Sequence, residues 1–168
     1  MGMSNNSGGV IHIHSAPRAV TKHVEWALSG VLGHSVALHW ADQPVLPGSQ
    51  CAVLAWKGRV GDGAGLASAI FGWRDVRFEV IEDATPGNDG SRFMHTPSLG
   101  IRRVQIDAAG RSVVPEDQLW EIIRKSATGN MSIESGIADA MGSSWDDELD
   151  AFRARYADSS VTWLHSVG

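Results

Sequence analysis

Twice in its first half this chain runs strand, helix, strand, and that doubled unit limits the available folds more than any other feature. Val10-Ile11-His12-Ile13-His14 reads as a strand, Pro17 to Leu32 as a helix, and Val36-Ala37-Leu38-His39-Trp40 as a second strand. Cys51-Ala52-Val53-Leu54-Ala55-Trp56 then reads as a strand, Gly63 to Gly72 as a helix, and Val76-Arg77-Phe78-Glu79-Val80 as a strand. The βαββαβ order is that of a ferredoxin-like, split-βαβ arrangement, with two helices on one face of a four-stranded sheet. The expected strand order is fourth, first, third, second. Ile11 and Ile13 should face the helices, with histidine and tryptophan side chains on the reverse face.

The helices carry matching apolar stripes. Val20, Val24, Ala27, Leu28, Val31 and Leu32 recur at helical spacing in the first, and Leu66, Ala69, Ile70 and Trp73 in the second. Asp62 stands as the cap of the second helix, and Ser15 before Pro17 as that of the first. Residues 1–8 are polar and glycine-rich and are expected to form a flexible tail ahead of a ferredoxin-like half at 9–84. The segment Thr85-Pro86-Gly87-Asn88-Asp89-Gly90-Ser91 reads as the boundary to an α+β half at 91–168. In that half the pattern predicts a hairpin across Gly100–Val114 turning at Asp107–Gly110, then a helix after Pro115. A short helix carrying Ile133, Ile137 and Met141 follows, then a helix capped by Ser144, and Val161–His165 alternates as a final strand.

Bulk properties remove several classes of function. A formal net charge of −5 lacks the basic footprint of a nucleic-acid binder and gives no attraction to anionic membranes. Only Trp56 offers an aromatic on the third strand, so the RNA-recognition signature is missing too. One cysteine, Cys51, permits no intrachain disulfide and no cysteine cage for zinc. The absence of a long apolar span or secretory segment leads to the expectation of a cytoplasmic protein. Seven tryptophans beside one tyrosine suit seams and interfaces, where each indole N–H finds a partner.

Candidate chemistry is sparse. His12 and His14 share one sheet face at roughly 6–7 Å, a usable spacing for two metal ligands, but no carboxylate completes a set. They read as packed histidines, with no metal and no cofactor expected. Gly61-Asp62-Gly63-Ala64-Gly65 opens a helix as a phosphate cradle does, yet lacks both the dinucleotide fingerprint and the P-loop lysine. Gly-x-Ser-x-Gly is absent, and Cys51 sits mid-strand. Asp146, Asp147 and Glu148 suit a helix N-terminus better than a catalytic pair. His14 and Arg18 flank the turn into the first helix and could jointly meet an anion there. The residues assigned a binding role are therefore His14, Arg18, Trp40, Trp56, Arg92, Trp163 and His165.

The string Gly9-Val10-Ile11-His12-Ile13-His14-Ser15-Ala16-Pro17, with His23-Val24-Glu25-Trp26-Ala27 and Gly30-Val31-Leu32-Gly33, resembles an actinobacterial family of unknown function, DUF3145. The likeness continues through Thr96-Pro97-Ser98-Leu99-Gly100-Ile101, Val114–Leu119, Trp145–Leu149 and Trp163-Leu164-His165, nearly the whole chain. It implies a cytoplasmic protein with no assigned activity, encoded near genes of type II fatty-acid synthesis or pyruvate dehydrogenase. The family commonly has an aromatic residue, often tyrosine, in the place of His12, and keeps histidine at His14. Lys22-His23 also departs from its usual proline before histidine. The expected function is a non-catalytic protein that binds a protein partner. The resemblance places it as a regulator or accessory subunit in fatty-acid or acyl-CoA metabolism. The alternative is a sensor or enzyme that binds an anionic metabolite or CoA ester between the halves, with Arg18, Arg77, Arg92 and Arg102 as candidate charges.

Overall fold

A computed structural model describes the backbone of residues 5–164 and the side chains of residues 5–153. The elements are β1 (Asn6–Pro17), a 3-10 turn (Arg18–Val20), α1 (Thr21–Leu32), β2 (Ala41–Asp42), β3 (Ser49–Arg59), α2 (Asp62–Phe71) and β4 (Arg77–Glu82). After them come β5 (Gly90–Thr96), β6 (Gly100–Ile106), β7 (Ser112–Val113), α3 (Glu116–Ala127), α4 (Ile133–Met141) and α5 (Ser143–Leu164). All seven strands form one antiparallel sheet in the order β2-β3-β1-β4-β5-β6-β7. The chain is thus α+β, with helices on both faces of a single sheet.

Alternation along β1 decides what each face holds. Ile11 and Ile13 enter the main core with Phe78 and Val80 of β4, Val24 and Leu28 of α1, and Leu66 and Ile70 of α2. Burying these side chains contributes roughly 1.5–3 kcal/mol each. His12 and His14 point to the reverse face, where Met94, Val104 and Leu149 make a smaller core under α5. Gly142, with φ 77°, ends α4 in a left-handed conformation and lies against Met94, so the chain turns directly into α5.

Several expectations change. The residues read as a flexible tail begin the sheet: Asn6, Ser7 and Gly8 pair with Arg59, Gly58 and Lys57. Glycine is required here, since a Cβ on Gly9 would sit 1.9 Å from the Ile81 carbonyl oxygen. Val36–Trp40 is not a strand, and β2 shrinks to Ala41–Asp42. Its backbone is captured by α1 instead: the Leu38 N–H donates to Glu25 Oε1 at 2.9 Å and the Val36 N–H to Ser29 Oγ at 2.8 Å. The α2 cap is Gly61, not Asp62, whose carboxylate accepts the Arg59 N–H at 2.7 Å.

In the second half, β5 occupies a segment that showed no strand pattern. Phe93, Met94, His95 and Thr96 are all buried, so both faces are covered and the alternation disappears. β5 pairs with β4 across the loop at 83–89, joining the two halves in one sheet. The final strand is replaced by helix, because Val161–Leu164 continue α5, a run of 22 residues. His165 lies outside the described residues. Among those described, no helix is long and apolar enough to cross a membrane.

Candidate functional site

The reverse face holds a polar cluster built around Glu79 in the middle of β4. A one-residue bulge in β1 between Ile13 and Ala16 leaves His14 and Ser15 both buried. The His14 carbonyl accepts from Gln43 Nε2 at 2.7 Å, and His14 Nε2 lies 2.6 Å from Glu79 Oε2. From α5, Arg153 donates through Nε to Glu79 Oε2 at 2.9 Å and through Nη2 to Oε1 at 2.6 Å. Arg92 of β5 binds Asp146 through two parallel bonds of 3.1 Å and stands 3.8 Å from Glu79 Oε1. Arg153 also donates to Asp146 and Asp150, each at 2.8 Å.

Burial by itself would raise the Glu79 pKa. The hydrogen bonds from His14 and Arg153, reinforced by their charges, override it and hold the carboxyl at about 2. His12 stacks on His14 with ring centres 5.8 Å apart and planes within 7°. Burial lowers the His12 pKa, and His14 and Arg153 push the same way against Glu79. A cavity of about 350 Å³ lies beside the cluster, lined among the described residues by His12, His14, Ile81, Arg92, Ile106 and Arg153, with others. Its charged lining is Glu79 with Arg92 and Arg153, and both arginines are engaged by carboxylates of Glu79 and Asp146. The cluster clamps α5 to the sheet, and its charges are already spent on each other.

Of the residues assigned from sequence, the structure brings His14 and Arg92 together. Arg18 is exposed and ion-paired with Asp42 at 2.5 Å, whereas His14 is buried against Glu79. Trp40 donates Nε1 to Glu25 at 3.0 Å. Trp56 is in the helix-side core, not on the reverse face, and donates Nε1 to the Ile81 carbonyl at 3.1 Å. The side chains of Trp163 and His165 lie outside the described residues. Arg77 is engaged with Ser15 and stacks over Phe152, while Arg102 holds Asp139 and stacks over Trp145.

Glu79, Asp146 and Arg153 are the residues that sequence reasoning missed. Glu79 did leave a signal, an acid between Phe78 and Val80 in the middle of a strand. Among the described residues no three His, Cys, Asp or Glu side chains are placed to share a metal ion. The glycine-rich turn into α2 also holds a carboxylate of its own. The Gly61 and Gly63 N–H groups donate to the two Glu82 carboxylate oxygens at 2.7 and 3.0 Å.

Away from the clamp, α3 is amphipathic but barely docked. Among its described residues Ile122 is the one buried, seated against Gly136 of α4 where a Cβ would come within 2.5 Å of it. Leu119, Trp120 and Ile123 are 36%, 56% and 43% exposed, and Ile133 of α4 is exposed as well.

Fold and cluster together define an α+β protein with one antiparallel sheet between helices and an ion-paired clamp beneath α5. The chain belongs to the family described as protein of unknown function (DUF3145), which matches residues 10–166. No curated protein and no solved structure matches it.

Proposed function

We propose that this is a non-catalytic protein that docks on another polypeptide through the apolar side of α3. The observation that carries this reading is the exposure of Leu119, Trp120 and Ile123 on a helix that commits only Ile122 to its own fold. An exposed aliphatic pair beside a tryptophan is the anchor pattern of a helix seated in a partner's groove. Glu116, Asp117, Glu121, Arg124 and Lys125 supply a rim of mixed charge around it. The scaffold is read as a ferredoxin-like first half, supported by the order β2-β3-β1-β4 with α1 and α2 on one face, carrying an α+β second half. A cytoplasmic regulator or accessory subunit of fatty-acid or acyl-CoA metabolism is the specific role proposed, supported by the family resemblance alone.

The test compares affinity-tagged protein with its Trp120→Ala/Ile123→Ser variant in native lysate, after circular dichroism has established equal folding. Loss of a stoichiometric protein from the variant alone supports the reading. Equal capture by both, or capture by neither, refutes it. The second reading, a sensor or enzyme for an anionic metabolite or CoA ester, is favoured by the cavity beside Glu79, whose lining includes Arg92 and Arg153. A melting temperature that rises with CoA esters, and without any protein partner, would support that reading instead.

A further inference from the structure

A second cavity, of about 460 Å³, opens beside the C-terminal end of α2 and is lined by Phe71, Gly72, Arg74, His95, Pro97 and Gly100. It lies on the helix side of the sheet, because His95 pairs with Phe78 and shares its face. It is therefore distinct from the Glu79 cluster and from the exposed side of α3.

His95 is 2% exposed and held from three directions. Its ring lies nearly parallel to Phe78 with centres 5.1 Å apart, and meets Phe71 at 89° with centres 5.6 Å apart. Its Nδ1 is 2.7 Å from the Val76 carbonyl oxygen. A carbonyl only accepts, so Nδ1 carries the proton, and in the neutral ring Nε2 is left as a lone-pair acceptor. Among the described residues Nε2 has no hydrogen-bond partner. Burial lowers the His95 pKa, overriding the Val76 carbonyl that raises it, and the Arg77 charge adds to the lowering. The imidazole is accordingly neutral at pH 7.

The rim is fixed before any ligand arrives. Thr96 Oγ1 accepts the Leu99 N–H at 3.1 Å, Ser98 Oγ donates to Glu148, and Trp145 Nε1 donates to the Gly100 carbonyl at 2.9 Å. Such preorganisation removes part of the entropic cost of binding. Arg74, at the mouth, has no ion pair or hydrogen bond among the described residues, unlike Arg92, Arg102 and Arg153 on the other face. The cavity thus presents an open acceptor on a largely buried ring, an uncommitted cation and the apolar surfaces of Phe71 and Pro97.

We propose that this cavity binds a small hydroxy acid with an apolar body, its hydroxyl donating to His95 Nε2 and its carboxylate meeting Arg74. The reading does not rest on partner docking by α3, so either can fail without the other.

The experiment uses the full chain and three matched probes: mandelate, phenylacetate lacking the hydroxyl, and benzyl alcohol lacking the carboxylate. Long-range ¹H–¹⁵N spectra of the histidine rings follow Nε2 of His95 directly. Mandelate is expected to shift that nitrogen saturably, with each control weaker by about tenfold or more, since each lost charge-assisted or buried hydrogen bond is of that order. Arg74→Gln, an exposed substitution that leaves the core intact, should weaken mandelate by a similar factor and leave benzyl alcohol unchanged. Equal shifts from all three probes, no shift from any of them, or an unaltered mandelate affinity in Arg74→Gln would each overturn the proposal. A spectrum showing the proton on Nε2 would overturn it before any ligand was added.

Discussion

Replacing Glu79 by glutamine tests whether the cluster beneath α5 is a clamp, because the change keeps the size of the side chain and removes its charge. In the folded protein Glu79 has a pKa of about 2 against 4.5 for a free glutamate side chain. The folded value is depressed, so its stabilisation is fully present above pH 4.5 and is lost as the pH falls toward 2. At about 1.4 kcal/mol per pH unit this difference corresponds to about 3 kcal/mol. Loss of one partner from a buried ion pair costs 3–5 kcal/mol by general experience, the same order. Urea unfolding followed by tryptophan fluorescence, with wild type and Glu79→Gln side by side between pH 7 and pH 2.5, measures the gap. Other carboxylates titrate in both proteins, so the difference between the two curves isolates Glu79. The gap should be about 3 kcal/mol at neutral pH and narrow steadily below pH 4.5. Equal stability at pH 7, or a gap that stays constant with pH, would show that Glu79 does not hold α5 to the sheet.

Other substitutions probe separate joints. Glu25→Ala should release the segment from Val36 to Trp40, costing about 1–3 kcal/mol. The Leu38 amide should then exchange with solvent deuterium much faster, while the core amides of β1 keep their protection relative to global unfolding. Gly9→Ala drives a methyl group into the Ile81 carbonyl and should destabilise the protein by several kcal/mol or prevent folding, as judged by urea titration or soluble yield. Leu28→Ala, in the middle of the helix-side core, should cost about 3–5 kcal/mol by the same titration. Trp120→Ala should change stability by no more than about 0.5 kcal/mol, since that ring is largely exposed.

The first half of the fold was legible because its helices cover one face of the sheet. Ile11 and Ile13 alternate with His12 and His14, and the stripes of α1 and α2 declare the buried side. β5 was hidden for the opposite reason. With α2 over one face and α5 over the other, Phe93, Met94, His95 and Thr96 are all interior and no period of two survives. Val36–Trp40 has strand-like residues, but the outcome was set by Glu25, thirteen positions before Leu38, whose carboxylate takes the Leu38 backbone N–H that a sheet ladder could have paired and the Trp40 indole N–H besides. Val161–Leu164 shows the limit of a short alternation, which is too brief to outweigh the helix entering it. Within the cluster, His14 and Arg92 were chosen from sequence for an anion. Their partners in the fold, Glu79 and Asp146, come from β4 and α5, and no local spacing connects residues so far apart in the chain.

The Glu82 carboxylate at the start of α2 has a consequence for any phosphate ester drawn to that glycine-rich turn. The two N–H groups that would greet the incoming ligand are already taken by a rival tethered to the same molecule, which never diffuses away. A visiting phosphate must evict it at an effective local concentration that ordinary metabolite levels seldom match, and must leave a buried carboxylate stranded in doing so. The turn is in this sense self-inhibited, and the glycines that advertise a cradle serve to admit the protein's own side chain.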